Sequence, residues 1–305
     1  MLLFTHPACL RHDPGADHAE CPQRLVQVID AIGMTFPALS WRIAPAAQRT
    51  QLARVHGDAH IAAILDTPVH GRRQIDPDTA MSAESAEAAL RAAGAGIAAV
   101  DAMMSGAARR AFCAVRPPGH HAERGAAMGF CLFNSIAVAA AHALAAHGLE
   151  RVCIADFDVH HGNGTQDIFA HDPRVQYLSS HQWPLYPGTG AASEQGVGNV
   201  RNVPLPPRAD GRALRQAWAQ TLLPAMDAFR PQLVLVSAGF DAHHRDPLAN
   251  LQATAEDFGW LTTQLCVIAD RHASGRLVSM LEGGYDMQAL RESAVAHVAA
   301  LRTED

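Results

Sequence analysis

The chain has 305 residues, a hydrophobic fraction of 49% and a charged fraction of 18%, the balance of an ordinary globular protein with a sizeable core. Its net charge of -6 leaves no electrostatic footprint for nucleic acid, so no nucleic-acid partner is expected. All 24 Lys+Arg residues are arginine, which excludes a Schiff-base lysine, a pyridoxal-phosphate lysine and a Walker A loop, since each needs an ammonium group.

The first residues, MLLFTHPACLRHD, lack a basic leader region and carry too short an apolar run for a signal peptide. Residues 2–5 read as a first strand and the polar stretch 11–24 as loop. Helical patterns follow over 22–34 and 58–65, separated from the next element by a loop over 66–82 rich in acids and proline. An alanine-rich helix starts at Ser82 or Ser85 as N-cap and reaches about Ser105. Residues 111–115 read as a strand, 134–147 as helix, 151–155 as a buried strand and 174–179 as another strand. Residues 181–208, punctuated by proline and glycine, read as loop. A helix over 211–229, a strand over 233–237, a helix over 254–273, a strand over 277–281 and a helix to Leu301 complete the chain.

Strands alternating with helices of this length mean β-α-β units and a mainly parallel sheet covered on both faces. No repeat, linker or charge block divides the sequence, so a single domain over 1–305 is expected. The six cysteines are scattered without a C-x-x-C pair and are expected as buried free thiols. No run of about twenty apolar residues occurs, so no membrane span is expected. A soluble cytoplasmic protein of open oligomeric state is the expectation.

In open parallel sheets, ligands gather beyond the carboxyl ends of the strands. Four such loops are chemically unusual here. After the strand over 111–115 come RPPGHH and GFCLFN. After 151–155 comes DFDVHHGNGTQDIF. After 233–237 comes AGFDAHHRDPL, and after 277–281 comes EGGYD. Asp156, Asp158 and His160 alternate along extended chain and so point the same way. Such a concentration of ionisable groups at a strand end is not core packing, because unpaired buried charge is costly. Carboxylates and imidazole together suit a divalent metal. Asp158, His160 and Asp241 would give three protein ligands and leave a position open, the arrangement of a catalytic centre. A neighbouring histidine could take a proton from water, and a phenol such as Tyr285 could stabilise an oxyanion. Metal-assisted hydrolysis of an amide or ester is the expected chemistry.

RPPGHHA, GFCLFN, DFDVHHGNGTQDIF, SAGFDAHHRDP and LEGGYD, in that order, resemble the signature blocks of the zinc-dependent histone deacetylases and deacetylase-like amidohydrolases. The likeness runs from about His18 to the end. It implies the arginase-deacetylase fold, with Asp158, His160 and Asp241 as zinc ligands. It implies His121 as general base and acid, His120 as its electrostatic partner, and Tyr285 as the group polarising the scissile carbonyl. By the same resemblance, Asp156 and Asn163 orient the two histidines. The asparagine is similar to the family's second class, where the first has aspartate. Gly129 would accept the substrate amide N–H through its carbonyl, while Phe130 and Tyr186 would wall a tunnel for an alkyl chain. Oxygens around Asp156, Asp158, His160 and Ser179 resemble a structural potassium site, and Arg24 matches an arginine below the zinc.

Leu248 follows the Asp246-Pro247 pair, where relatives preferring acetylated polyamines carry glutamate. An acyl-lysine peptide or protein is therefore the expected substrate, with acetylpolyamines or another small acylated amine second and a non-catalytic acyl-lysine binder third. The DFDVHH order does not supply the extra aspartates with which the arginase branch binds two manganese ions. Asp78 reads first as an exposed loop acid, with a role at the rim of the site as the alternative.

Overall fold

The computed structural model describes residues 1–302. Ten strands and eleven α-helices follow in chain order: β1 (Leu2–Thr5), α1 (Pro7–Arg11), α2 (Pro22–Thr35), β2 (Trp41–Ile43), α3 (Arg49–Leu52), α4 (Asp58–Leu65), β3 (Arg72–Gln74), β4 (Ala80–Ser82), α5 (Ser85–Met104), β5 (Arg110–Cys113) and α6 (Ser135–His147). The second half holds β6 (Val152–Asp156), α7 (Asn163–Phe169), β7 (Val175–Gln182), β8 (Val200–Leu205), α8 (Gly211–Ala217), α9 (Leu223–Phe229), β9 (Leu233–Ala238), α10 (Ala255–His272), β10 (Leu277–Leu281) and α11 (Met287–Leu301).

Eight strands form one sheet in the order β2-β1-β5-β10-β9-β6-β7-β8, and every pairing in it is parallel. Every residue of β5, β6, β7, β9 and β10 is buried. That requires cover on both faces, as parallel sheets demand. Helices α2, α11 and α10 pack in series on one another, and α5 packs on α1 and α6. The four strands whose loops looked unusual in sequence, β5, β10, β9 and β6, are consecutive in the middle of the sheet. Their carboxyl ends therefore open side by side.

Four local expectations differ from the structure. The 66–82 stretch contains the antiparallel hairpin of β3 and β4 rather than loop alone. The 181–208 stretch contains the end of β7 and all of β8. β8 carries Pro204, which an edge strand tolerates because one of its sides has no ladder to feed. β2 is a largely exposed three-residue edge strand, Trp-Arg-Ile, that pairs only with β1, too short to show a readable period. The helix expected over 211–229 widens into a π turn at Trp218–Leu222, where Leu223 N–H reaches the carbonyl of Trp218. Pro224, one residue on, has no N–H to give, and its ring needs space from the carbonyl four residues back.

Two phenylalanines tie the site to the core. Phe157 and Phe240 each immediately precede an aspartate of the expected metal cluster, and both are fully buried. Their ring centroids lie 5.9 Å apart, and Phe258 of α10 packs 5.7 Å from Phe157 and 5.3 Å from Phe240. Each ring packs into the core just past its strand's end, and the carboxylate beside it joins the cluster.

Candidate active site

Asp158, His160 and Asp241 converge at the ends of β6 and β9, all three buried. The Nδ1 atom of His160 lies 3.1 Å from Asp158 Oδ1 and 3.1 Å from Asp241 Oδ2. Backbone N–H groups fix the carboxylates: Gly283 donates to Asp158 at 2.8 Å, and Val159 donates to Asp241 at 2.8 Å. A Cβ at Gly283 would overlap the Asp241 carboxylate, so only glycine lets that turn close on the cluster. Burial first, and then the Asp158 charge, raises the Asp241 pKa to about 6. One ring nitrogen cannot neutralise two buried carboxylates, and two oxygens and a nitrogen facing one point make a donor set suited to a divalent cation. The residues fit a metal.

The histidine pair comes from the turn after β5. His120 Nδ1 meets Asp156 Oδ2 at 3.0 Å, and Tyr177 O–H donates to the same oxygen at 3.0 Å. His121 Nδ1 meets Asn163 Oδ1 at 2.8 Å. The two rings are 4.1 Å apart, yet their electrostatics differ. Burial works against a charged His120, but Asp158 and then Asp156 overcome it and hold its pKa well above the ordinary value. Burial, then His120 and His160, push His121 well below its ordinary value, which leaves it neutral beside a charged neighbour.

Tyr285 follows Gly283-Gly284 beyond β10. Its N–H donates to Asp246 Oδ2 at 2.7 Å, and the other Asp246 oxygen accepts from Leu248 N–H at 2.9 Å. One carboxylate thus ties the tyrosine loop to the loop bearing Asp241 and Leu248. Burial pushes the Tyr285 phenol well above its ordinary pKa, so it stands as a neutral donor. Arg24, buried in α2, lies 4.7 Å from the Tyr285 ring centroid and donates to the carbonyls of Gly284 and Glu282 at 2.6 Å each. Glu20 accepts from Arg24 at 2.9 Å and from Arg116 at 2.6 Å, and Arg116 in turn donates to the carbonyl of Cys9 at 2.8 Å. Burial opposes the Glu20 charge, but Arg116 holds its carboxyl well below the usual range.

A pocket of about 220 Å³ leads down to these groups. His121, His160 and Tyr285 form its floor, and Gly129, Phe130, Leu185, Tyr186, Leu248 and Asp78 line it. Gly129 (φ 56°) and Phe130 (φ 68°) are both left-handed, and a Cβ on Gly129 would strike the His121 ring. The structure thus brings every expected site residue to one place. Asp78 departs from its first reading: it is half-buried in the pocket wall, not a free loop acid. The Asp76 carboxylate accepts the N–H groups of Asp78 and Thr79 at 3.0 and 2.6 Å, and His18 Nε2 lies 2.9 Å from the Asp78 carbonyl, folding the hairpin over the site.

Sequence reasoning passed over Glu282, Asp246 and Leu185. Glu282 is buried and accepts the N–H of Gly119 at 2.6 Å and of His120 at 3.2 Å, linking the tyrosine loop to the histidine turn. An acid directly after the wholly apolar end of β10 was a signal for it.

Among the described residues one other His/Asp group is tight enough for a metal: Asp101, His142 and His147, between α5 and α6. There Arg54 donates to His142 Nδ1 at 2.9 Å, so the His142 proton lies on Nε2 and donates to Asp101 Oδ1 at 2.7 Å. That cluster is satisfied by hydrogen bonds.

Residues 18–301 match the histone deacetylase domain. The histone deacetylase-like amidohydrolase of Pseudomonas aeruginosa is 42% identical over 279 residues, 88% of this chain and 73% of that protein. Human polyamine deacetylase HDAC10 is 37% identical over 322 residues, covering 98% of this chain but 46% of its own. The solved HDA15 HD domain superposes with a TM-score of 0.94 at 35% identity, over 98% of this chain and 87% of that one. The central parallel sheet is thus the arginase-deacetylase fold, and the chemistry is that of a deacetylase or amidohydrolase. With sequence and fold in agreement over almost its whole length, the chain belongs to the histone deacetylase family.

Proposed function

We propose that the chain is a zinc-dependent lysine deacylase, using Asp158, His160 and Asp241 as ligands and His121 and Tyr285 as its reactive side chains. The observation that carries this reading is the 220 Å³ pocket, where a neutral histidine, a neutral phenol and His160 of the ligand cluster face one space. When bound, zinc supplies Lewis acidity that lowers the pKa of water and polarises a carbonyl. His121 takes the proton of the attacking water and later delivers it to the leaving amine. His120, held cationic by Asp156 and Asp158, adds positive potential beside the developing oxyanion. Tyr285 O–H donates to that oxygen, and the Gly129 carbonyl receives the amide N–H. Phe130 and Tyr186 grip the alkyl chain. The reading includes a structural potassium ion among the oxygens around Asp156, Asp158, His160 and Ser179. It treats the chain as one catalytic domain, supported by a sheet that draws strands from Leu2 to Leu281.

A second reading, hydrolysis of acetylpolyamines or other small acylated amines, draws on the likeness to HDAC10 and on Asp78 in the pocket wall, an acid able to attract a second amine. Leu248, 37% exposed at the pocket wall, argues for lysine, since a leucine offers no charge to a distal ammonium. The test is hydrolysis of an acetyl-lysine peptide and an acetylated polyamine by the zinc-loaded protein, with Leu248→Glu alongside. Preference for the peptide, moving toward the polyamine in the variant, supports the lysine reading. Polyamine preference in the wild type would give the second reading the lead. A protein that binds both and cleaves neither would be an acyl-lysine binder.

A further inference from the structure

The paired histidines are held by unlike partners. Asp156 accepts a hydrogen bond from His120 however its carboxylate is turned. His121 faces Asn163, whose amide has an accepting end and a donating end. With Oδ1 toward the ring, the His121 proton must sit on Nδ1, and Nε2 keeps a lone pair for the proton of water. With the NH₂ end toward the ring, Nδ1 must accept, the proton moves to Nε2, and the histidine has no base to offer. The orientation of one amide therefore decides whether His121 works.

The surroundings of Asn163 Nδ2 choose between these states. Glu123 Oε1 lies 2.8 Å away, Met128 Sδ 3.3 Å and the His121 carbonyl 3.4 Å. All three are acceptors. A flipped amide would set its oxygen against a thioether, a carbonyl and a carboxylate oxygen, and the last of these is the strongest repulsion. Glu123 is itself held in place. Its N–H donates to Ala126 O at 2.9 Å, and its carbonyl meets His56 Nδ1 at 3.0 Å. The His56 Nε2 accepts Asn134 N–H at 2.9 Å, so Nδ1 bears the His56 proton and donates it to Glu123. Glu123 stands two residues past His121 in HHAER, so one turn carries the histidine and its lock.

We propose that Glu123 is a positioning residue: its carboxylate locks the Asn163 amide so that His121 holds its proton on Nδ1 and presents Nε2 to the substrate. The kinetic consequence rests on the deacylase reading; the tautomer does not. The full zinc-loaded chain is compared as wild type, Glu123→Ala, Glu123→Gln, Asn163→Asp and Glu123→Ala/Asn163→Asp, with zinc content and thermal midpoint checked for each.

Nitrogen-15 spectra of labelled histidine should show the His121 proton on Nδ1 in the wild type and spread over both nitrogens in Glu123→Ala. With an acetyl-lysine peptide, Glu123→Ala should lower kcat about tenfold or more with KM little changed. Glu123→Gln should restore it only in part, because its amide can accept from the Asn163 NH₂ group but can equally donate to a flipped Asn163 oxygen. On the Asn163→Asp background, loss of Glu123 should leave kcat unchanged or raise it, since an aspartate accepts from His121 either way round and Glu123 then only repels it.

Wild-type kcat and tautomer in Glu123→Ala would overturn the proposal, as would an equal fall on both backgrounds, which is the mark of a merely structural residue. A Glu123→Gln that holds the His121 proton on Nδ1 as firmly as the wild type would also overturn it, since an acceptor-only partner would then not be needed. If the wild type cleaves no acyl amine, the deacylase reading has failed, and the nitrogen-15 spectra alone decide the inference.

Discussion

Two clusters in this molecule are built from the same residue types, and they are held in different surroundings. Asp158, His160 and Asp241 lie buried at the ends of adjacent strands, with two carboxylates facing one ring nitrogen at 3.1 Å and no arginine among their hydrogen-bond partners. Asp101, His142 and His147 lie between two helices, with the aspartate half exposed and Arg54 donating to the inner histidine. The first cluster holds more negative charge than its own protons can neutralise, with both carboxylates shut away from bulk water. The second has a single carboxylate meeting two imidazoles, an arginine behind one of them, and solvent at its edge. Uncompensated buried charge is thus what makes the first cluster the better candidate for a cation, and residue type alone does not separate the two.

The sharpest way to break this comparison is to remove one acid from the first cluster and one histidine from the second. Asp241→Ala should take zinc content from about one per chain to near zero and abolish turnover, while His147→Ala should leave both unchanged. Atomic absorption on dialysed protein reads the result, and zinc lost from the histidine variant would mean that the second cluster also binds metal. Next in size is His121→Ala, which should lower kcat by about 10²–10⁴-fold with zinc content still near one. Equal activity in that variant would remove His121 from its assigned place. The smallest effect belongs to Asp101→Asn. Its half-exposed contacts should be worth less than about 1 kcal/mol by urea unfolding at neutral pH. Burial opposes the Asp101 charge, but His142 and His147 hold its pKa below the ordinary 3.8. The stabilisation is therefore complete above that value and fades as pH falls through the lowered one, and the gap between variant and wild type should close in acid.

Much of the site was legible because its residues are crowded into short blocks after apolar runs. Asp158 and His160 lie two apart just past the end of β6, near enough along the chain to be expected together. The chain nevertheless bends there, and the backbone N–H groups of Asp158 and His160 are taken by the preceding carboxylates. Asn163 and His121 were paired only through resemblance to a family, since they are 42 positions apart. Asp78 was misread because nothing local shows that the hairpin of β3 and β4 folds back over the pocket. β2 and β8 were invisible for the same reason: an edge strand half-open to water carries little hydrophobic pattern.

The sequence by itself determined the alternation of strands and helices, the parallel sheet and the residues able to bind a metal, because periodicity and side-chain chemistry are local properties. Only the tertiary structure decided that β5, β10, β9 and β6 stand in a row, so that four distant loops meet. It alone brought Glu282 to the His120 turn, Asp246 to Tyr285 and Glu123 to Asn163, contacts that depend on packing between segments. Asp246 to Tyr285 spans 39 positions along the chain, Glu123 to Asn163 spans 40, and Glu282 to His120 spans 162. A hydrogen bond needs its partners within about 3 Å, and no local rule of the chain sets that distance between remote segments.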